Sequence, residues 1–176
     1  MSISNWVLTR TGKRFYPAAP VLKDISIIDI AWSLSMQCRY TGHTNRFYSV
    51  AEHSLYLAEF ATPENQRMAL LHDASEAYLT DIAAPVKQQL INYSTMEATL
   101  QEAIAIKFDL PLKIPEEVKE LDRRIVLDEL AFFMGANGND WGIAGNKLGV
   151  IFNADFSPEY YYRKFLAKFD ELRTPL

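Results

Sequence analysis

The chain has 176 residues, enough to bury one proper core and too few for a second catalytic domain. Its composition, 49% hydrophobic and 23% charged, excludes disordered and fibrous classes. No window approaches the roughly 18 to 20 consecutive apolar residues of a membrane span. The net charge of -4, with basic residues scattered along the chain, lacks the footprint of a groove for polymeric DNA or RNA but leaves room for a small phosphorylated ligand.

In chain order, short extended runs at residues 6–9 and 13–16 flank Thr11-Gly12 and predict a small hairpin, a lid over residues 1–20. After Pro20 the pattern turns helical at 27–37, and Arg39 to Arg46 forms a basic loop broken by Gly42. The amino terminus lacks the basic-then-apolar layout of a signal peptide, and the single cysteine, Cys38, agrees with a reducing compartment, so a cytoplasmic protein is expected. The next helix, 47–61, stops at Thr62-Pro63, and a second one carrying 68–79 follows as its neighbour. Pro85 opens a helical stretch to 90, 95–108 continues it, and Pro115 opens a long helix to about 134. A glycine-rich irregular stretch, 135–149, precedes a last amphipathic helix from Pro158 to about 172. The expected architecture is a single all-α domain of about six helices with the N-terminal hairpin.

All three histidines lie between residues 41 and 73. His53 sits mid-helix, with Val50 and Leu57 marking an inward face, and reads either as a core histidine bonded to a backbone carbonyl or as a ligand. In Leu70-Leu71-His72-Asp73-Ala74-Ser75-Glu76, three ionisable groups crowd one turn of an otherwise apolar helix. A buried imidazole beside a buried carboxylate is costly unless a cation satisfies both, and a divalent metal does so economically; the alternative is a surface His–Asp pair. Asp122 shares a helix face with Ile125, Val126 and Glu129, where it is either a ligand or half of a buried salt bridge. Arg123 and Arg124 read as surface or interface charges, and Tyr160, Tyr161 and Tyr162 either line an interface or pack inward.

A histidine on one helix, a His-Asp pair on the next and an Asp on a later one resemble the signature of the HD-domain metal-dependent phosphohydrolases. The fuller pattern is Val50-Ala51-Glu52-His53-Ser54, His72-Asp73-Ala74-Ser75-Glu76, then Asp81-Ile82 to Pro85-Val86-Lys87. It is similar to bacterial 5'-deoxynucleotidases of the YfbR type and their phage relatives, among them deoxynucleoside triphosphate hydrolases. The resemblance covers residues 27–134; the hairpin and residues 135–176 lie outside it.

The resemblance implies an HD helical bundle in which His53, His72, Asp73 and Asp122 bind one divalent cation. The mixed nitrogen and oxygen donors suit Mn, Co, Fe or Ni, with Mg or Zn also admissible. It implies that Glu76 orients or deprotonates the attacking water, and that Asp81 contacts the sugar 3'-hydroxyl or handles the leaving-group proton. Arg39-Tyr40 resembles an Arg-Trp pair that contacts phosphate and packs on deoxyribose, with Tyr for Trp and one residue of offset from His53. His43, Arg46 and Lys87 are further candidates for phosphate contact, since a chain of phosphates needs more cations than one does. The function implied is hydrolysis of deoxynucleoside 5'-monophosphates in a homo-oligomeric enzyme, with deoxynucleoside triphosphate hydrolysis second. A non-catalytic nucleotide-binding HD protein is the competing class.

Overall fold

The computed structural model describes residues 5–152 and 156–173. Gly12, at φ +80°, turns the chain between β1 (Val7–Leu8) and β2 (Arg14–Phe15) in a left-handed conformation that costs glycine little. The strands pair antiparallel, Val7 opposite Phe15 and Leu8 opposite Arg14. They are shorter than the sequence suggested because Thr9 is spent on the turn, its carbonyl accepting from the Gly12 N–H at 3.0 Å. Two contacts fasten the hairpin to the body. Phe15 is buried and stacks on Tyr78 at 3.9 Å, and the Thr11 N–H and hydroxyl donate to the buried Asp29 carboxylate at 2.7 and 2.8 Å.

The rest is mostly helical: α1 (Ile27–Met36), α2 (Val50–Phe60), α3 (Gln66–Leu71), α4 (Glu76–Leu79), α5 (Ala84–Lys87), α6 (Tyr93–Lys107), α7 (Glu116–Glu129) and α8 (Pro158–Glu171). Packing against α1, α3, α7 and α8, α2 is buried on nearly every side, including its polar residues Glu52, His53 and Ser54. It starts three residues later than expected because Ser49 caps it, accepting the Glu52 N–H at 3.0 Å. The residues before the cap are extended. There the Tyr48 carbonyl accepts the Arg39 N–H at 2.8 Å and Val50 donates to the Gln37 carbonyl at 3.1 Å, which folds the 39–46 loop beside the start of α2.

The helix expected over 68–79 is two helices separated by a tight turn at 72–75. The long helix after Pro115 also changes pitch, since α7 passes into a wider π turn, Leu130–Met134, closed by Gly135 at φ +62°. Asn45 takes two of the carbonyls freed there. Its N–H donates to Phe133 at 2.8 Å and its side-chain amide to Phe132 at 2.9 Å, so the 39–46 loop docks on the end of α7.

The irregular stretch that follows is stapled to α7. Asp128 accepts the N–H groups of Leu148, Gly149 and Val150 at 2.7, 3.0 and 3.2 Å. Arg123 donates to the Ala144 carbonyl, and Arg124 to those of Asn146 and Lys147. The adjacent arginines, expected as surface or interface charges, are at least partly exposed and hold a loop. Finally α8, capped by Ser157, buries Tyr161, Phe165 and Phe169, while Tyr162 lies edge-on to Trp32 at 5.2 Å and Tyr160 stacks on Phe156 at 4.2 Å. No helix among the described residues is long and apolar enough to cross a membrane.

Candidate metal centre

α2, the 72–75 turn and α7 bring His53, His72, Asp73 and Asp122 together. His53 Nε2 lies 3.3 Å from His72 Nε2, 3.2 Å from Asp122 Oδ1 and 3.7 Å from Asp73 Oδ2. His72 Nε2 lies 3.1 Å from Asp73 Oδ2 and 3.8 Å from Asp122 Oδ1. A cation about 2.1 Å from each donor spaces adjacent donors about 3.0 Å apart in an octahedral and about 3.4 Å in a tetrahedral arrangement. The measured separations fall around those values, and His53, His72 and Asp122 form a group able to hold a metal ion.

The tautomers support the fit. His72 Nδ1 lies 2.8 Å from the Ala69 carbonyl, which only accepts, so Nδ1 carries the hydrogen. His53 Nδ1 donates to the Glu129 carboxylate at 2.6 Å. A neutral ring with Nδ1 protonated has its lone pair on Nε2. With both rings neutral, two lone pairs face each other across 3.3 Å with carboxylate oxygens around them, an arrangement that calls for a cation, a proton or a metal ion, between them. Both imidazoles are buried, whereas the Asp73 and Asp122 side chains are 20% and 42% exposed, so the cluster opens to solvent on its carboxylate side.

A proton competes for the same place: burial opposes protonation of His72, yet Asp73 and Asp122 raise its pKa well above the ordinary value, so a metal ion binding there must displace that proton. Burial likewise opposes ionisation of Asp122, yet its hydrogen bonds with His53 and His72 hold it well below the carboxylate range. Glu76 behaves oppositely. Burial first, then the charges of Asp73 and Asp81, push it up to about 9, and its Oε2 is buried without a hydrogen-bond partner. Asp81 is half-buried and also raised, by burial and then by Asp73 against the lowering effect of Arg39; its N–H donates to Gln37 Oε1 at 2.9 Å.

Glu129 was not among the expected site residues. Wholly buried on α7, it accepts from His53 Nδ1, from the Tyr48 hydroxyl at 2.7 Å, from the Tyr40 hydroxyl, and from Arg39 Nη2 at 3.4 Å. Burial alone would raise its pKa, but Arg39 and His53 bring it down to about 2. Its place two turns beyond Asp122 on the same apolar face was the available signal.

Of the phosphate-contact candidates, Arg39 sits at the centre, its Nη1 3.5 Å from Asp73 Oδ2 as well as bonded to Glu129. Tyr40 lies beside it at φ +56°, held by the Glu129 bond and edge-on to Trp141 at 5.9 Å. Lys87 pairs with Glu97. Arg46 points elsewhere, gripping Glu52 at 2.8 and 3.1 Å, and His43 is exposed at the end of the 40–42 turn.

Fold and site together define a mostly helical protein with a histidine–carboxylate cluster that could hold a metal ion. No family model matches the chain. It is 35% identical over 170 residues, 96% of each chain, to the uncharacterized protein YfdR of Escherichia coli K12. It is also 34% identical over 151 residues to an uncharacterized protein of Rhodobacter capsulatus, covering 76% of this chain and 77% of the other. The chain belongs to the family of YfdR.

Proposed function

We propose that the protein is a divalent-metal-dependent phosphohydrolase of the HD type, acting on 2'-deoxyribonucleoside 5'-monophosphates and releasing phosphate. The observation carrying this reading is the facing Nε2 pair of His53 and His72 ringed by Asp73 and Asp122, with the unpartnered Glu76 carboxyl one turn away. A purely structural metal would need the four donors but not Glu76 or Asp81, whose pKa values are displaced upward as those of acid–base groups in active sites often are.

A divalent cation would be held by His53, His72, Asp73 and Asp122, where it would supply Lewis acidity and positive charge that favours the ionised form of Glu76. The chain's own residues do the rest. Glu129 fixes the His53 ring and its tautomer, and the Ala69 carbonyl does the same for His72. Glu76 takes the proton of the water that attacks phosphorus and returns it to the 5'-oxygen as the P–O bond to the deoxynucleoside breaks. Arg39, at the Asp73 edge of the cluster, offers its guanidinium to the phosphate. Asp81 meets the sugar 3'-hydroxyl, and Tyr40 with Trp141 forms an aromatic wall for the deoxyribose.

Monophosphates are favoured over triphosphates by the basic residues. Arg46 grips Glu52 and Lys87 pairs with Glu97, so two of the cations that a triphosphate would draw on are already matched to carboxylates. The test is chromatography of products from ribo- and deoxynucleoside mono- and triphosphates incubated in Mn or Co. Deoxynucleoside and free phosphate from the deoxy-monophosphates is the expected result. Deoxynucleoside with inorganic triphosphate would reverse the substrate assignment, and nucleotide bound without turnover would point to a binding protein.

A further inference from the structure

The segment carrying His72, Asp73 and Glu76 is a broken helix, and the break has an identifiable cause on α6. In a continuous α-helix the Ser75 N–H would donate to the Leu71 carbonyl four residues back. Here Ser75 N–H donates instead to Gln101 Oε1 at 3.2 Å, while Gln101 Nε2 donates to the Leu71 carbonyl at 3.0 Å. The glutamine amide is thus inserted into one rung of the helix, matching both halves of the bond it replaces. Leu100 and Ile104, on either side of Gln101 along α6, are fully buried, which fixes the depth of the insertion.

Beyond the break the chain winds more tightly. Ala74 donates to Leu71, Glu76 to Asp73 at 3.0 Å, Ala77 to Ala74 and Tyr78 to Ser75, each three residues back. At about 100° per residue an α-helix would leave Glu76 roughly 60° short of Asp73, whereas the three-residue turn, at about 120° per residue, brings the two into line. Glu76 and Asp81 are held separately. Gln37 Nε2 donates to the Glu76 carbonyl at 3.1 Å and its Oε1 accepts the Asp81 N–H at 2.9 Å, tying the pair to α1. The relation between the ligand pair and Glu76 therefore rests on the rung that Gln101 occupies.

We infer that Gln101 is a positioning residue that sets the angle between the His72-Asp73 ligand pair and Glu76 by replacing the Ser75–Leu71 helical hydrogen bond. This rests on the phosphohydrolase reading for its effect on turnover, but not for its effect on the backbone. Gln101→Leu removes both amide contacts; Gln101→Glu keeps the acceptor for Ser75 and loses the donor to Leu71.

Three readouts test it: titration with Mn or Co, kcat and KM on a deoxynucleoside monophosphate, and the crystal structure of Gln101→Leu. One metal per chain bound within about 3-fold of wild-type affinity is expected, with kcat down about 10- to 100-fold, KM within about 3-fold, and Gln101→Glu between. In the crystal, Ser75 should donate to Leu71 and Glu76 should be rotated away from Asp73. Wild-type kcat in Gln101→Leu, equal losses of metal affinity and turnover, or a break that persists without the amide would each overturn the inference. If Gln101→Leu does not fold, Gln101→Glu carries the same readouts. A wild-type chain inactive on every nucleotide defeats the functional reading, and the crystal structure alone then decides the inference: a closed helix upholds it and a persistent break sinks it.

Discussion

Replacing Glu129 by Gln keeps the side chain's shape and removes its charge at the point where four donors converge. One carboxylate oxygen serves His53 and Tyr48, and the other serves Tyr40 and Arg39. An amide can match the first pair, but its NH2 must then face the Arg39 guanidinium, donor against donor. The displacement of Glu129 to about 2 from an ordinary 4.5 is worth about 3 kcal/mol. That agrees with the roughly 3–5 kcal/mol for breaking a buried ion pair from one side. Because the folded pKa lies below the unfolded one, this stability is fully present above about pH 4.5 and is lost as the pH falls toward 2. Urea unfolding in EDTA, which keeps metal out of the measurement, should show Glu129→Gln shifted by about 1.5 M at neutral pH for a slope of about 2 kcal/mol per molar. The gap should narrow as the pH drops below 4.5. A shift under about 0.5 M at pH 7, or a gap that widens in acid, would refute the role given to this carboxylate.

Glu76→Gln should leave metal stoichiometry intact, since none of the four donors changes, while lowering kcat by about 10²- to 10⁴-fold; parallel loss of metal would mean that Glu76 is itself a ligand. Asp128→Ala removes the acceptor of three backbone N–H groups and should cost about 1–3 kcal/mol. Trypsin should then cut faster after Lys147, and unchanged cleavage would show that the arginine staples suffice.

Much of the histidine–carboxylate cluster could be read in advance because its residues break local rules. A His-Asp pair inside an apolar run and a carboxylate on an apolar helix face are costly without a partner, and the structure supplies partners in one another. What escaped was contributed from a distance. The break at 72–75 depends on Gln101, whose position on α6 is an ordinary polar one in sequence and whose effect exists only after α6 has packed. The weight on Glu129 comes from Tyr40 and Tyr48, more than 80 positions earlier, and no helical spacing links them. That Arg46 and Lys87 lie beside Glu52 and Glu97 was not legible either, because a sequence shows charge without showing its partner. The hairpin was legible from Gly12, but its seat on Tyr78 and Asp29 was not.

Phosphate release from a deoxynucleoside monophosphate by EDTA-stripped protein, before and after one equivalent of Mn or Co is restored, bears most directly on the proposed activity. No release from the stripped protein and recovery on adding metal, abolished again in His72→Ala, is the predicted result. Equal release with and without metal, or none under either condition, would contradict a metal-dependent phosphohydrolase.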